Sequence, residues 1–137
     1  MCYYLYSCIN QQAYNESFYA ICRRFGIAYA KIPEEQLLFQ TDCLGGVFFR
    51  PTEDYCDCNT PLGSHKPGSK DLDRYLQWIQ ECKTCKNSKF IGLLKYWEGS
   101  GRKEVLPPMQ VVSITQVDTK FLSEIKDDTI YKIHFYL

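Results

Sequence analysis

The sequence predicts one α+β domain, with a mainly antiparallel sheet of about five strands and two main helices packed on one face. The length of 137 residues fits a single domain with a sizeable core. Strand-like and helix-like apolar patterns follow one another in the order β, α, β-hairpin, loop, α, β, β, short α, β. No repeat, low-complexity tract or change in composition marks a boundary, so residues 1–137 are expected to fold as one unit.

A strand and a helix open the chain. Residues 2–9 are rich in aromatic and β-forming side chains, which is typical of a strand. Asn15 is a candidate N-cap, apolar residues recur after it at the spacing of one helical face, and Gly26 ends the pattern. Tyr14 and Tyr19 occupy the positions of a hydrophobic staple across the start of this helix.

The pattern that follows favours three strands. Residues 27–32 are strand-like until Pro33 interrupts them. Two apolar runs, at 37–40 and 47–50, flank a Cys-Leu-Gly-Gly turn that contains Cys43. This arrangement predicts a hairpin.

The second half of the chain contains the clearest helix. A long loop at 51–68 leads to Ser69, the predicted cap of that helix. The buried face of the helix is expected to contain Leu72, Tyr75, Leu76, Ile79 and Cys82. Further strands are predicted at 90–97, 111–117 and 129–137, with a short helix at 119–125 capped by Asp118.

The charge balance and the cysteine count limit the classes of function. Lys plus Arg and Asp plus Glu each total 16, without a basic stripe, which argues against a nucleic-acid partner. No apolar stretch approaches the roughly 20 residues of a membrane span, and residues 1–9 lack the basic start of a secretory signal. We therefore expect a cytoplasmic protein whose 8 cysteines are thiols or metal ligands. If the chain is exported, the same cysteines predict disulfides instead.

Two closely spaced cysteine pairs suggest a metal site. Cys56 and Cys58 form a C-x-C pair, and Cys82 and Cys85 form a C-x-x-C pair. Zinc prefers four soft ligands in tetrahedral geometry, which two such pairs supply, and His65 is a candidate to replace one thiolate. This hypothesis predicts a zinc-stabilised domain with one zinc ion. The alternative is no cofactor, since Cys82 also falls on an apolar helix face and free cysteine is often buried.

The same loop is a candidate catalytic site. Cys58 or Cys56 is the nucleophile in this hypothesis, provided that the imidazole of His65 lies within hydrogen-bond reach and lowers the pKa of the thiol. Asp57 or Asp54 then orients the imidazole. Because spacing along a loop does not show this contact, a cysteine-dependent enzyme is an alternative function and not the first one.

The glycine-rich end of the loop suggests an anion site. Residues 63–70 have the length of a phosphate-binding loop, but they end in Ser-Lys where such a loop needs Lys-Ser. A weaker anion site remains, in which Ser64, Lys66, Ser69 and Lys70 surround the first amides of the helix. The competing interpretation is an ordinary capped helix start.

The chain begins Met1-Cys2, which resembles the start of class II glutamine amidotransferases and other N-terminal-nucleophile hydrolases. In those enzymes removal of the methionine makes the cysteine catalytic, so the resemblance implies a hydrolytic role for Cys2. The resemblance covers two residues, and 137 residues are few for that four-layer fold. Cys2, Cys8 and Cys22 are interpreted instead as core or strand thiols.

The abundance of tyrosine, 11 residues, favours a protein-interaction module. Tyr3, Tyr4 and Tyr6 crowd the first strand, and Tyr96 and Trp97 end another. Either these rings form a binding surface on an open face of the sheet, or loops cover that face. We therefore expect a small intracellular inhibitor or immunity-type antagonist of a larger protein, with another protein as its partner, no nucleic acid and no membrane.

Overall fold

The computed structural model describes residues 2–41, 45–100 and 107–136, which form five strands and three α-helices. The elements are β1 (Tyr3–Asn10), α1 (Glu16–Phe25), β2 (Gly46–Phe49), α2 (Lys70–Cys82), β3 (Phe90–Trp97), β4 (Met109–Ser113), α3 (Thr119–Ser123) and β5 (Ile130–His134). The sheet order is β2-β1-β3-β5-β4, in which β4 and β5 are parallel and the other neighbours are antiparallel. The predicted α+β class with a mainly antiparallel sheet is confirmed.

The helices begin at the residues that the sequence predicts, whereas α3 ends at Ser123, before the predicted residue 125. Asn15, Ser69 and Asp118 each accept a backbone N–H of the first turn on the side-chain oxygen, which satisfies one of the free donors there. Gly26 ends α1 in the left-handed conformation, with φ +67°. None of the helices in the described ranges is both long enough and apolar enough to cross a membrane.

Tyr14 holds the start of α1 against the segment that follows the helix. Its ring packs edge-on against Tyr19, with centroids 4.9 Å apart, which confirms the staple. Its hydroxyl donates to the carbonyl of Tyr29 at 2.5 Å. The strand predicted at 27–32 does not form, because this segment makes a single bridge to the sheet, between Lys31 and Phe49.

The predicted hairpin is also wrong. Strand β2 pairs with β1, in the register Ser7 to Phe49, and residues 37–40 contain no strand. Leu37 and Phe39 instead pack on the sheet as two buried side chains, each 2% exposed. An apolar run in a covering loop therefore has the same sequence pattern as a strand. Cys43, in the predicted turn, lies outside the described residues.

Both faces of the sheet are covered. The three helices pack on one face, around a core that contains Phe18, Trp78 and Leu122. The loop containing Leu37 and Phe39 covers the other face. A second core lies there, and its members include Tyr6, Cys8, Phe48, Leu94 and Tyr96. Of the two predicted arrangements for the aromatic residues, the covered sheet is therefore the one that the structure shows.

Three further details of the helices and strands differ from the sequence prediction, and the first is that β5 spans Ile130–His134 and not 129–137. In α2, Trp78 is fully buried, while Leu76 is only partly buried against the core. The predicted strand at 111–117 ends early, since Ser113 caps a short 3₁₀ turn and its hydroxyl accepts the N–H of Thr115. None of these differences changes the topology of the sheet.

Candidate functional site

The first strand leaves part of one edge without a strand partner. β2 pairs with residues 7–10 of β1, whereas β3 pairs with β1 from Tyr3 onwards. The loop at 51–68 fills the remaining edge: the N–H of Asp57 donates to the carbonyl of Tyr3 (2.8 Å), and the N–H of Leu5 donates to Oδ2 of Asp57 (2.7 Å). Residues of this loop thus take the place of the missing strand.

The carboxylate of Asp57 anchors this loop. Asp57 is 4% exposed, and its two oxygens accept from Arg50 Nη2 (2.8 Å) and from the hydroxyl of Thr52 (2.5 Å) in addition to the backbone. Arg50 also donates to the carbonyl of Asp54 at 2.9 Å and lies over the ring of Tyr4. A buried carboxylate with three donors is held in one position, because any displacement leaves charge without a partner.

Three thiols meet where this loop crosses the start of β1. While Asp57 points inward, its neighbours Cys56 and Cys58 stay at the surface, and Cys2 lies immediately before the strand. The sulfur atoms of Cys2, Cys56 and Cys58 all lie within 4.8 Å of one another. Cys58 is exposed and the other two are half-buried. We call these three residues the surface thiol group.

Backbone contacts hold the two ends of the surface thiol group together. The N–H of Tyr3 donates to Sγ of Cys58 at 3.4 Å. The N–H of Cys2 donates to Oε1 of Glu98 at 3.2 Å, and the N–H of Glu98 donates back to the carbonyl of Cys2 at 3.0 Å. Cys2 is therefore fixed against the end of β3, and Cys58 against the start of β1.

Hydrogen bonds within the group separate the pKa values of its members. The pKa of Cys56 is lowered, chiefly by the backbone N–H of Cys58 and then by hydrogen bonds from the thiols of Cys2 and Cys58. The pKa of Cys2 is raised to about 11, chiefly by the hydrogen bond that it gives to Cys56, with burial as a further cause. Cys56 therefore ionises before Cys2.

No family model, curated protein or solved structure matches this chain. The function must therefore be argued from the geometry of the surface thiol group and its surroundings. A small polar pocket of about 280 Å³ lies beside Cys56, and its other lining residues include Thr52, Asn59, Thr60 and Arg74.

The structure does not bring together the four cysteines of the predicted zinc site. Cys82 is fully buried on the inner face of α2. Cys85 is 4% exposed, and its thiol donates to the carbonyl of Ala13 at 3.6 Å. Cys56 and Cys58 are joined by Cys2 instead. The apolar interpretation of Cys82, based on its place in the helical pattern, describes its position correctly.

His65 does not complete a nucleophile–base pair in the part of the chain that the structure describes. Its imidazole makes no hydrogen bond to Cys56 or Cys58, and it is not a member of the surface thiol group. His65 is exposed, has φ +62°, and donates its backbone N–H to the carbonyl of Ser123 at 2.7 Å. The backbone of this residue thus attaches the loop to the end of α3.

The predicted anion site is a capped helix start in this structure. The hydroxyl of Ser69 accepts the N–H of Asp71 at 3.1 Å, and the hydroxyl of Ser64 accepts the N–H of Lys66 at 3.2 Å. Both serine oxygens are therefore used by local backbone donors. Lys66 and Lys70 are exposed. The local interpretation accounts for these residues without a ligand.

Sequence reasoning missed Cys2 as a member of the group. The N–H of Tyr3, the residue after Cys2, donates to Sγ of Cys58 across 55 residues of chain, and spacing along the sequence carries no information about this contact. One local signal did exist. In C-x-C an inward-pointing central residue leaves both thiols on the outside, and the central residue here is an acid that needs buried donors.

Proposed function

We propose that the surface thiol group binds one soft metal ion, Zn²⁺ or Cu⁺, through Cys2, Cys56 and Cys58. The observation that carries this proposal is the mutual distance of the three sulfur atoms, at most 4.8 Å. Thiolates are the ligands that soft cations prefer, and both ions accept three of them. Electrostatics also favour a cation here. Three neighbouring thiolates repel one another, and a bound metal ion offsets that repulsion.

The distances suit a metal ion with little rearrangement. Zn–S bonds of about 2.3 Å in a tetrahedron place the sulfur atoms roughly 3.8 Å apart. The thiols therefore need to close by about 1 Å at most, which side-chain rotation supplies. Cys58 is exposed, so the fourth position of a zinc ion is open to water or to a small ligand.

The loop does not depend on the metal for its position. Asp57 already holds it through Arg50, Thr52 and the backbone of β1. This differs from a zinc-stabilised domain, in which removing the metal unfolds the chain. We expect the metal-free protein to keep its secondary structure, so the site is a binding site rather than a structural one.

Metal titration of the reduced protein tests the proposal. The purified chain, freed of metal with a chelator and kept reduced, is titrated with Zn²⁺ against a chromophoric competitor, and separately with Cu⁺ under anaerobic conditions. We expect one ion per chain. Replacing any one of Cys2, Cys56 or Cys58 with serine should weaken binding by roughly tenfold or more, since a three-ligand site then keeps two.

Cys85→Ser is the matched control. Cys85 belongs to the C-x-x-C pair of the sequence hypothesis but lies apart from the surface thiol group. Its substitution should leave the metal affinity unchanged. An equal loss of affinity in Cys85→Ser, or no binding of either ion by the unmodified chain, would contradict the proposal. Circular dichroism of each variant separates lost binding from lost fold.

Two other functions stay predictions. A cysteine-dependent enzyme lacks its predicted base, since His65 makes no contact with either thiol among the described residues. A protein-interaction module cannot use Tyr6 and Tyr96, which are buried, so this hypothesis now depends on the loop and on the half-buried rings of β1 and β3. Tyr55, 89% exposed and adjacent to Cys56, is the large aromatic side chain that remains at the surface of this loop. The cytoplasmic location is likewise a prediction.

A further inference from the structure

We propose that the surface thiol group reacts with low-molecular-weight disulfides, with Cys58 as the attacking thiol and Cys2 as the resolving thiol, to form a Cys2–Cys58 disulfide. This activity goes beyond metal binding and needs no metal ion, although it uses two of the same sulfur atoms. It assigns the group a second chemistry, thiol–disulfide exchange, and a substrate class, small disulfides such as oxidised glutathione.

Access selects Cys58 as the attacking thiol. Cys58 is exposed, while Cys2 and Cys56 are half-buried. In-line attack on a disulfide needs room for both of its halves around the incoming sulfur atom, and an exposed side chain offers that room. The N–H of Tyr3 lies 3.4 Å from Sγ of Cys58 and keeps this sulfur beside the residue that precedes Tyr3, which is Cys2.

Loop geometry selects Cys2 over Cys56 as the resolving thiol. A bond between Cys56 and Cys58 closes a small ring around Asp57, whose N–H and carboxylate are already fixed to β1. Such a ring distorts the geometry that a disulfide requires. Cys2 comes from a separate segment, and rotation of its side chain moves the sulfur towards Cys58 while Glu98 holds the backbone. The two sulfur atoms start within 4.8 Å and must approach to about 2 Å.

The electrons and protons balance in two exchange steps. The thiolate of Cys58 attacks one sulfur of the small disulfide, forming a mixed disulfide and releasing one small thiolate. The thiolate of Cys2 then attacks Sγ of Cys58 and expels the second. Two protein thiols are oxidised, one small disulfide is reduced to two thiols, and the protons of Cys2 and Cys58 pass to the two released thiolates.

The test follows the reaction of metal-free protein with oxidised glutathione in the presence of a chelator. Intact mass gives the mixed disulfide and the internal disulfide as separate species, and peptide mapping identifies the linked cysteines. We expect the unmodified chain to pass through one glutathione adduct to a Cys2–Cys58 linkage. Because the second step is intramolecular, the adduct should convert to the internal disulfide and not to a second glutathione adduct.

Three variants separate the roles of the thiols. Cys2→Ser should stop at the adduct on Cys58, with internal disulfide formation at least about tenfold slower. Cys58→Ser should form the adduct at least about tenfold more slowly, since the accessible thiol is missing. Cys56→Ser should still give the Cys2–Cys58 linkage, and Cys85→Ser, a buried thiol apart from the group, is the matched control whose rate should stay close to that of the unmodified chain.

A Cys56–Cys58 linkage, an unreactive group, or an unchanged internal disulfide rate in Cys2→Ser would overturn the proposal. Thermal melting of each variant checks that it is folded before the reaction. The outcome is independent of the metal titration, because the chelator removes metal throughout. Metal binding without exchange, or exchange without metal binding, therefore eliminates one proposal and leaves the other standing.

Discussion

Two groups of cysteines in this molecule differ in almost everything except residue type. The surface thiol group lies on a loop and at the start of a strand, with sulfur atoms within 4.8 Å of one another. The second group consists of Cys22 on α1, Cys82 at the end of α2, and Cys85 just beyond it. These three are 0–4% exposed, and we call them the buried thiols.

The electrostatics of the two groups have different origins. Burial raises the pKa of Cys22 to about 12, and it raises the pKa values of Cys82 and Cys85 as well. In the surface thiol group, hydrogen bonds are the largest cause, and they lower the pKa of Cys56 while raising that of Cys2. The comparison shows that burial sets the pKa values of one group, whereas hydrogen bonds near the surface set those of the other.

The largest expected effect concerns the anchor of the surface thiol group. Asp57→Asn removes the charge that Arg50 and the N–H of Leu5 bind, and should destabilise the fold by about 2–4 kcal/mol. It should also separate Cys58 from Cys2 and slow formation of their disulfide. Urea unfolding measures the first effect. Asp54→Asn, an exposed acid of the same loop, is the control, and an equal loss there would contradict the anchoring role.

Exchanging sulfur for oxygen tests the comparison directly. Cys82→Ser places a hydroxyl in an apolar site and should cost about 1–3 kcal/mol. Cys58→Ser changes an exposed side chain and should stay within about 0.5 kcal/mol. Thermal melting of the two reduced, metal-free variants provides the measurement. A larger loss of stability in Cys58→Ser than in Cys82→Ser would contradict the structural role of the buried thiols.

Alkaline pH should weaken the fold through the buried thiols. The pKa of Cys22 rises from 9.0 to about 12 on folding, so the unfolded chain releases this proton first as the pH increases. The stability from the protonated thiol is complete below pH 9 and declines from pH 9 towards 12, by less than about 1.4 kcal/mol per pH unit. The melting temperature of Cys22→Ala should fall less steeply with pH than that of the unmodified chain over that range.

The smallest effect is a shift in reactivity within the surface thiol group. Because the pKa of Cys56 is lowered, its alkylation should increase with pH at a midpoint below the ordinary 9.0. Cys2→Ser exchanges the thiol that donates to Cys56 for a hydroxyl, so the midpoint should change by a fraction of a pH unit. Cys58→Gly removes the other thiol that donates to Cys56 but keeps the backbone N–H of residue 58, which is the chief cause of the lowered pKa. Its midpoint is compared with that of Cys2→Ser. Residue-resolved alkylation rates give both midpoints.

Much of the architecture could be predicted from local patterns. The helix starts are predictable from Asn15, Ser69 and Asp118, because a cap is a contact within one turn. Strand β3 coincides with its apolar run from residue 90 to 97. The errors fall where an apolar run packs without pairing. Leu37 and Phe39 are as buried as strand residues, and their sequence cannot show that they belong to a loop.

The candidate site was predictable only in part, for a similar reason. The loop and two of its thiols were identified because C-x-C is a local pattern. Cys2 lies beside them because β1 places it there. Cys82 and Cys85 do not belong to the site, because α2 and the turn after it place them in the core. Spacing identifies ligands when they share a turn, and it fails when a strand edge supplies one of them.

The anchoring of the loop by Asp57 has a consequence for the order of folding. Leu5 and Asp57 are 52 residues apart, so their contact must close a long loop of chain before it contributes any energy. α1 and its caps need no such closure and are able to form earlier. The three sulfur atoms therefore come together only after β1 has been placed. During refolding, the appearance of metal affinity or of rapid Cys2–Cys58 disulfide formation would therefore report when the native long-range contacts form. The gain of helix is a separate measurement.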